Sequence, residues 1–254
     1  MSKKKTSNDL EVKPLPTDKS DVPQSPYMKS GIIAKFPSMC LNIGRSGSGK
    51  TTVINYMMTQ PNYMKGFFDS VYLFSPTAEL DDLAKHLKLK KENLITDPTP
   101  EKLMEILDEQ ESLIKKHGIK KVAQKRKVMI IFDDIVSNIK FLKSPAVLRL
   151  CTMGRHYLIS SIFNTQAYKK IPRSCRLQAN SVIFFPASND ETLCIAEDHT
   201  PPSCSRKDFY KMVEYATKNR HEFMYINMHE PPEKRYRKGF KEYLVPKNLS
   251  KDKK

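Results

Sequence analysis

From residue 39 onward, short runs rich in apolar residues alternate with amphipathic segments. A short apolar run predicts a strand buried on both faces, and apolar residues recurring every three or four positions predict a helix. The predicted strands are residues 39–43, 71–74, 94–96, 128–132, 160–164, 181–185 and 223–227. The predicted helices are residues 51–58, 79–87, 101–116, 145–153 and 208–217. This alternation predicts an α/β fold, a mainly parallel sheet flanked by helices on both faces.

Composition changes at both ends of this pattern. Residues 1–28 hold four prolines and few apolar side chains, so we expect a disordered arm over residues 1–30. Residues 234–254 hold nine lysines and arginines against two acidic residues. We therefore expect one globular domain at residues 31–232 and a basic tail at residues 233–254. With no run of 18 apolar residues and no apolar stretch near the start, neither a membrane span nor a secretory signal is expected.

The turn between the first predicted strand and helix fits the phosphate-binding pattern G-x-x-x-x-G-K-[ST], the P-loop. A strand delivers such a loop, its glycines let backbone N–H groups surround a phosphate, and the helix N-terminus adds positive partial charge. Lys50 is expected to reach the β- and γ-phosphates of ATP, and the Thr51 hydroxyl to ligate Mg²⁺. The predicted nucleotide-binding residues are Gly44, Arg45, Ser46, Gly47, Ser48, Gly49, Lys50, Thr51 and Thr52.

Two acidic residues follow the most apolar predicted strand, residues 128–132. An apolar strand that ends in acids is the Walker B pattern of P-loop ATPases. Asp133 is expected to hold Mg²⁺, and Asp134 to position or deprotonate the attacking water. The alternative is that both acids only cap the next helix. The pair extends the prediction from phosphate binding to ATP hydrolysis.

Polar residues also end the predicted strand at residues 160–164. Asn164 and Gln166 are both candidates for a side-chain amide that contacts the γ-phosphate or the attacking water. A positive charge near the same phosphate would stabilise the transition state, and ring-shaped motors take it from the neighbouring subunit. The candidates, all near strand ends, are Arg155, Arg173 and Arg176.

The net charge of +16 favours a polyanionic partner, most simply nucleic acid. Part of this charge lies in residues 115–127, which hold seven lysines and arginines and no acidic residue. This basic run is either a solvated helix end or a contact for nucleic acid or another partner. The sequence leaves both interpretations open.

Together these motifs resemble those of the poxvirus-type genome-packaging ATPases, a branch of the FtsK–HerA superfamily. The resemblance extends over residues 36–190. The motifs that carry it are residues 44–51, residues 131–134, Gly154-Arg155-His156, Gln166, Ile171-Pro172 and Arg176. It implies a RecA-like P-loop NTPase core in which the strand ending at Gln166 lies between the P-loop strand and the Walker B strand. It also implies that Gln166 senses the γ-phosphate and that Arg155 or Arg176 acts on the neighbouring subunit, with Arg155 preferred.

The activity implied by this resemblance is ATP hydrolysis coupled to translocation of double-stranded DNA into a viral capsid, with ATP and Mg²⁺ as cofactors. The implied partners are double-stranded DNA, a capsid or portal vertex protein, and further copies of the chain in a ring of five or six. Such a protein would work in the virion or in the host-cell cytoplasm. The basic run and tail would supply sequence-independent contacts to DNA phosphates, although the tail could equally bind capsid protein.

Three other functions are compatible with the same motifs. A helicase- or recombinase-like ATPase would separate strands in an ATP-dependent way. A P-loop kinase of a small molecule would transfer phosphate without any response to DNA. A nucleotide-switched DNA-binding or scaffold protein would bind ATP and DNA with negligible turnover.

Overall fold

The computed structural model describes residues 22–80, 82–201 and 204–245. The strands within these ranges are β1 Met39–Ile43, β2 Ser70–Phe74, β3 Leu94–Ile95, β4 Val128–Asp133, β5 Ile159–Thr165, β6 Ser181–Phe184, β7 Met224–Asn227, β8 Tyr236–Lys238 and β9 Glu242–Leu244. They form one sheet in the order β3-β2-β4-β5-β1-β6-β7-β8-β9. Strands β1 to β6 run parallel, and β7 to β9 are added antiparallel. The predicted mainly parallel sheet is confirmed.

Helices lie between successive strands from β1 to β8, and a further helix precedes β1. They are α1 Pro26–Lys29, α2 Lys50–Thr59, α3 Asp82–His86, α4 Pro100–His117, α5 Ile119–Lys125, α6 Ile139–Leu142, α7 Pro145–Met153, α8 Arg173–Arg176, α9 Asn189–His199, α10 Arg206–Ala216 and α11 Pro232–Arg235. Two of these helices begin at residues that favour a helix start. The hydroxyls of Thr99 and Ser144 cap α4 and α7, and a proline follows each cap. Within the described ranges, no helix combines the length and apolar character needed to cross a membrane.

The core lies on both faces of the sheet. Successive side chains of a strand point to opposite faces, so a strand covered on both sides is mainly apolar. In β4, Val128, Ile130 and Phe132 pack into one apolar cluster, and Met129 and Ile131 pack into the other. The sequence predicted this two-sided burial from the unbroken apolar run.

Strand order brings three polar residues into one row. β5 lies between β1 and β4, as the resemblance implied. The register pairs Asn164 with Asn42 on one side and with Asp133 on the other. These three residues lie near the carboxyl ends of their strands, the edge of a parallel sheet where nucleotides bind.

One predicted helix is shorter in the structure, and one long helix was not predicted. The helix predicted at residues 79–87 is limited to α3, because turns between Ser75 and Leu80 precede it. Helix α9 was not predicted; the Ser188 hydroxyl caps it and acidic residues fill its first turn.

The predicted terminal segments also differ from the structure where they are described. Residues 1–21 and 246–254 lie outside the described ranges. Within the predicted arm, Met28 is buried in α1. The predicted boundary at residue 233 is not where the sheet ends, because β8 and β9 extend it. Arg237 of β8 is buried and donates hydrogen bonds to the carbonyls of Gly31 and Ile32, which offset the cost of burying its charge.

Candidate functional site

Residues 44–49 form a tight turn between β1 and α2. The Gly44 N–H donates to the Thr165 carbonyl at 3.2 Å, which continues the ladder between β1 and β5. A Cβ on Gly44 would lie 2.6 Å from the Phe185 Cβ and 2.7 Å from the Ser48 Oγ, so only glycine fits there. Gly49, directly before α2, has φ +107°, a conformation that favours glycine. Two glycines of the P-loop pattern therefore stand where the backbone of the turn requires them.

Lys50 is held inside this turn. Its ammonium is buried and donates to the Arg45 carbonyl at 3.0 Å. Burial is the largest effect and lowers the pKa of Lys50, while Asp134 and Asp133 oppose that decrease. A phosphate in the turn would favour the charged ammonium for the same electrostatic reason. Lys50 is therefore placed where a bound anion would stabilise its charge.

Two buried asparagines connect the P-loop to the end of β4. The Asn42 amide donates to the Asn164 Oδ1 and to the Lys50 carbonyl, both at 3.0 Å. The Asn164 amide donates to the Asp133 carboxylate at 2.6 Å and lies 3.5 Å from the Thr51 hydroxyl. Because an ionised carboxylate only accepts hydrogen bonds, the nitrogen of Asn164 must face Asp133. The side-chain amide of Asn164 therefore contacts both predicted magnesium ligands, Thr51 and Asp133.

The residues present fit Mg²⁺. This ion is usually held by one or two protein oxygens together with phosphate oxygens and water. Thr51 and Asp133 supply a hydroxyl and a carboxylate of that kind. The Ser48 Oγ and the Asn42 Oδ1 are buried without a hydrogen-bond partner in the described part of the chain. Unsatisfied buried oxygens beside a phosphate loop are consistent with a site completed by ligand or water.

Other predicted residues lie around this centre. Asp134 is exposed directly after β4 and has φ +51°, in the left-handed region. Gln166 is exposed one residue beyond β5. Of the two side-chain amides that the sequence analysis named as candidates, Asn164 contacts Asp133, and Gln166 is exposed to solvent. The predicted γ-phosphate contact of Gln166 remains a prediction. Thr52 is exposed on α2, and Arg45, Ser46 and Gly47 are exposed at the tip of the turn.

Arg155 lies at the opposite edge of the sheet. It belongs to the 3-10 turn Gly154–Tyr157, which leads into the amino end of β5. The seven residues of β5 span roughly 20 Å at about 3.3 Å per residue. The exposed Arg155 lines an open cavity of about 360 Å³ together with Lys35 and His229. The length of β5 therefore separates Arg155 from the P-loop of its own chain.

Arg176 is instead buried within its own subunit. Its Nε donates to the Asp198 carboxylate at 2.9 Å, and both side chains are almost fully buried. The guanidinium lies 4.7 Å from the ring centre of Tyr168 and also donates to the Ile171 carbonyl at 3.1 Å. These contacts fix the segment after β5 against α9. They conflict with the catalytic role predicted for Arg176, because a guanidinium held this way is not available to a neighbouring subunit.

The basic run at residues 115–127 forms the end of α4, all of α5 and the entry to β4. Several of its charges are paired within the chain: Lys127 lies 2.7 Å from Asp69 and Arg126 lies 2.7 Å from Glu109. Lys116, Lys121 and Lys125 are exposed. Because α5 leads into the amino end of β4, this run lies towards the same edge of the sheet as Arg155.

The sequence interpretation missed His221. This residue precedes β7 in the chain, and its Nδ1 lies 3.0 Å from the Ser48 carbonyl of the P-loop. The contact exists because β7 pairs antiparallel with β6, next to β1. No local pattern of residues signals a contact between positions 173 apart.

Comparisons with known proteins agree with this fold. The sequence profile of the family described as "Poxvirus A32 protein" matches residues 26–228. None of the curated proteins is significantly similar to the chain. The solved DNA-packaging ATPase B204 from Sulfolobus turreted icosahedral virus is 15% identical, with a TM-score of 0.55 over 76% of this chain and 94% of B204.

Two further solved structures share this fold. The genome packaging NTPase B204 from Sulfolobus turreted icosahedral virus 2, in complex with AMP, is 14% identical, with a TM-score of 0.52 over 76% of this chain and 93% of that protein. The cytoplasmic domain of the type VII secretion ATPase EccC from Thermomonospora curvata is 13% identical, with a TM-score of 0.53 over 76% of this chain and 24% of EccC. Because the profile matches most of the chain, the protein belongs to the poxvirus A32 family, and its fold is that of the P-loop NTPases, as its motifs predicted.

Proposed function

We propose that the protein is an ATP-hydrolysing motor that moves double-stranded DNA into a viral capsid. The observation that carries this proposal is the row Asn42, Asn164 and Asp133, which joins the P-loop to the end of β4. A P-loop alone would account for phosphate binding. A buried carboxylate held beside the Thr51 hydroxyl would supply the metal ligands that hydrolysis requires.

The comparisons support the same function. The chain belongs to the poxvirus A32 family, and the B204 proteins that share its fold are described as a DNA-packaging ATPase and a genome packaging NTPase. B204 of the second virus has been solved in complex with AMP and with AMPPCP. The net charge of +16 suits a DNA-handling protein.

The site residues divide the reaction between them. Backbone N–H groups of the P-loop and the Lys50 ammonium would hold the β- and γ-phosphates. Bound Mg²⁺, held by Thr51 and Asp133, would neutralise charge on these phosphates. The Asp134 carboxylate would accept the proton of a water that attacks the γ-phosphorus. The bond to the β-phosphate oxygen then breaks, and ADP and phosphate leave.

The proposal includes a ring of five or six copies in which Arg155 acts on the nucleotide of the next copy. Its support is the position of Arg155, exposed at the edge of the sheet opposite its own P-loop. Arg155 is exposed, so its charge is available to an outside anion. A capsid or portal partner, and work in the virion or host-cell cytoplasm, belong to the same proposal and rest on the family.

The test follows the ATPase rate against the concentration of double-stranded DNA, with particle mass measured in the same buffer. We expect an oligomer whose turnover rises with DNA. Asp134→Asn should reduce turnover by about 100-fold or more, the usual contribution of a general base, while nucleotide binding persists. Asp97→Asn, which changes an exposed aspartate after β3, is the matched control and should leave turnover unchanged.

Other outcomes would favour the rival functions. A monomer whose turnover ignores DNA contradicts the motor, unless an added capsid protein restores the response. Phosphate transfer to a small molecule would identify a kinase. ATP-dependent separation of strands would identify a helicase, and tight ATP and DNA binding with negligible turnover would identify a switch or scaffold.

A further inference from the structure

The loop between α10 and β7 contacts the P-loop from outside the nucleotide site. The His221 Nδ1 lies 3.0 Å from the Ser48 carbonyl oxygen. A carbonyl oxygen can only accept, so Nδ1 carries the hydrogen and donates. The same imidazole lies close to Gly49, since a Cβ built there would be 3.4 Å from the Nδ1 of His221. The imidazole of His221 therefore contacts the peptide group between Ser48 and Gly49.

This hydrogen bond has a consequence for the next residue. The peptide group between Ser48 and Gly49 is planar and trans, so its C=O and its N–H point in opposite directions. When His221 holds the Ser48 C=O on its own side, the Gly49 N–H must point away from His221. In a P-loop, this N–H is one of the donors that surround a phosphate. The imidazole thus sets the direction of a donor that it does not touch.

The backbone of His221 is itself constrained. Its φ is +67°, in the left-handed region that favours glycine, and such a conformation persists only where neighbouring contacts hold it. Glu222 provides these contacts: its N–H donates to the Asn219 carbonyl at 3.2 Å, and its carboxylate accepts from the Asn219 N–H at 3.0 Å. The other oxygen of that carboxylate lies 2.9 Å from the Lys238 ammonium of β8.

The next residue also connects the loop to the P-loop. The Phe223 ring packs 5.3 Å from the ring of Phe185, the residue that closes over Gly44. Two contacts therefore join the antiparallel end of the sheet to the P-loop: the hydrogen bond of His221 and this aromatic pair. Both depend on the pairing of β7 with β6.

We propose that His221 is a positioning residue for the nucleotide. It fixes the Gly49 N–H through the Ser48 carbonyl, and the ion pair between Glu222 and Lys238 ties its position to β8. The proposal rests on the proposed binding of nucleotide phosphates by the P-loop. It adds that the antiparallel strands, which carry no motif residue, set how tightly the phosphates are held.

The test measures AMPPCP binding by titration calorimetry, together with KM and kcat for ATP, in a series of His221 variants. His221→Gly tolerates the positive φ but lacks the imidazole. It should weaken AMPPCP binding and raise KM by about ten-fold, the effect of one hydrogen bond to a charged group, and leave kcat within about two-fold. His221→Asn should recover most of the affinity, because asparagine adopts the left-handed region and its amide can donate.

A second pair of variants tests the connection to β8. Glu222→Gln and Lys238→Met remove the ion pair while keeping side-chain size. Each should change KM in the same direction as His221→Gly, by about two- to three-fold, because an ion pair of this exposure contributes little by itself. His86→Ala, an exposed histidine at the end of α3, is the control and should bind AMPPCP like the wild type.

The outcomes separate this inference from the function on which it rests. Wild-type affinity in His221→Gly, or a loss in kcat with KM unchanged, would overturn the positioning role. So would a loss in His221→Gly that His221→Asn fails to reduce. If Lys50→Ala binds AMPPCP as well as the wild type, the proposed P-loop binding itself is wrong.

Discussion

Asn164 is the side chain on which the geometry of the site depends. It accepts from Asn42 on one side and donates to Asp133 on the other, so its two amide atoms cannot exchange places. No other residue of the same size offers a donor and an acceptor in this arrangement. These contacts predict that Asn164 positions Asp133 near Thr51.

Replacing Asn164 with aspartate tests this role. Asn164→Asp puts a second carboxylate beside Asp133 and removes the donor, so the pair repels and Asp133 is displaced. We expect kcat for ATP to fall by about ten- to 100-fold, the range for a lost hydrogen bond to a charged group, and the Mg²⁺ requirement to rise. Steady-state kinetics at several Mg²⁺ concentrations measure both changes.

Asn62→Asp is the matched control for Asn164→Asp. Asn62 is exposed beyond the end of α2, so the same change adds a carboxylate away from the row of Asn42, Asn164 and Asp133. Its kinetics should stay within about two-fold of the wild type. If Asn164→Asp also behaves like the wild type, Asn164 does not position the metal ligand.

At the scale of elements, the segment after β5 is held against α9 by a buried polar cluster. The Tyr168 hydroxyl donates to Asp198 at 3.0 Å and lies 2.9 Å from the His199 Nε2. Since the hydrogen of Tyr168 goes to Asp198, the His199 Nε2 must be the donor in the second contact. Arg176 completes the cluster through its ion pair with Asp198. These contacts anchor the chain two residues beyond Gln166.

Protonation of His199 should destabilise this cluster. Burial, opposed by Asp198 and assisted by Arg176, lowers the pKa of His199 to about 4. The unfolded chain then binds more protons than the folded chain from about pH 6.5 down to about pH 4, so stability falls as pH falls through this window. At pH 5 the loss from His199 is about 2 kcal/mol.

His199→Gln isolates this contribution. Glutamine stays neutral and keeps a donor for Tyr168, so the variant should lose less stability than the wild type between pH 7 and pH 5. Urea unfolding at both pH values measures the difference in the free energy of unfolding. Equal losses in both proteins would show that His199 does not titrate as its burial implies.

At the scale of the whole molecule, the sheet separates the two halves of the proposed site. The P-loop, Asp133 and Asn164 lie at the carboxyl ends of the parallel strands, and Arg155 lies before the amino end of β5. A single copy cannot bring them together. In a ring with head-to-tail contacts, one edge of each copy can face the opposite edge of the next.

Mixing two inactive variants tests this arrangement. Lys50→Ala should bind no nucleotide productively, and Arg155→Ala should lack the positive charge offered to its neighbour. In an equal mixture, about a quarter of the sites in a randomly assembled ring combine an intact P-loop with an intact arginine. ATPase activity should therefore reappear in the mixture, as measured by phosphate release.

The control for the mixing experiment pairs Lys50→Ala with the double variant Lys50→Ala, Arg155→Ala, which has no intact P-loop and should stay inactive. Wild-type turnover in Arg155→Ala alone, or no recovery in a mixture whose mass shows mixed rings, would exclude Arg155 as the residue that acts between subunits.

Several features were predictable because they depend on neighbours in sequence. The runs at β1 and β4 are mainly apolar, as expected for strands buried on both faces, and their polar residues Asn42 and Asp133 lie near the carboxyl ends. The P-loop pattern needs glycine where a Cβ would clash, as at Gly44, or where φ is positive, as at Gly49. In contrast, the basic composition after residue 233 predicted a tail where the structure has β8. The reason is that the hydrogen-bond partners of Arg237 are carbonyls about 200 positions earlier in the chain.

The sequence by itself determined the phosphate loop, the acids that follow β4, the parallel sheet and the family. Each of these features depends on residues that are adjacent along the chain, and their backbone conformation and burial allow few other residue types. Only the tertiary structure decided that Asn164 contacts Asp133, that Arg176 is held by Asp198, and that His221 contacts the P-loop. Strand order and register bring these groups together, and both follow from the packing of the whole sheet.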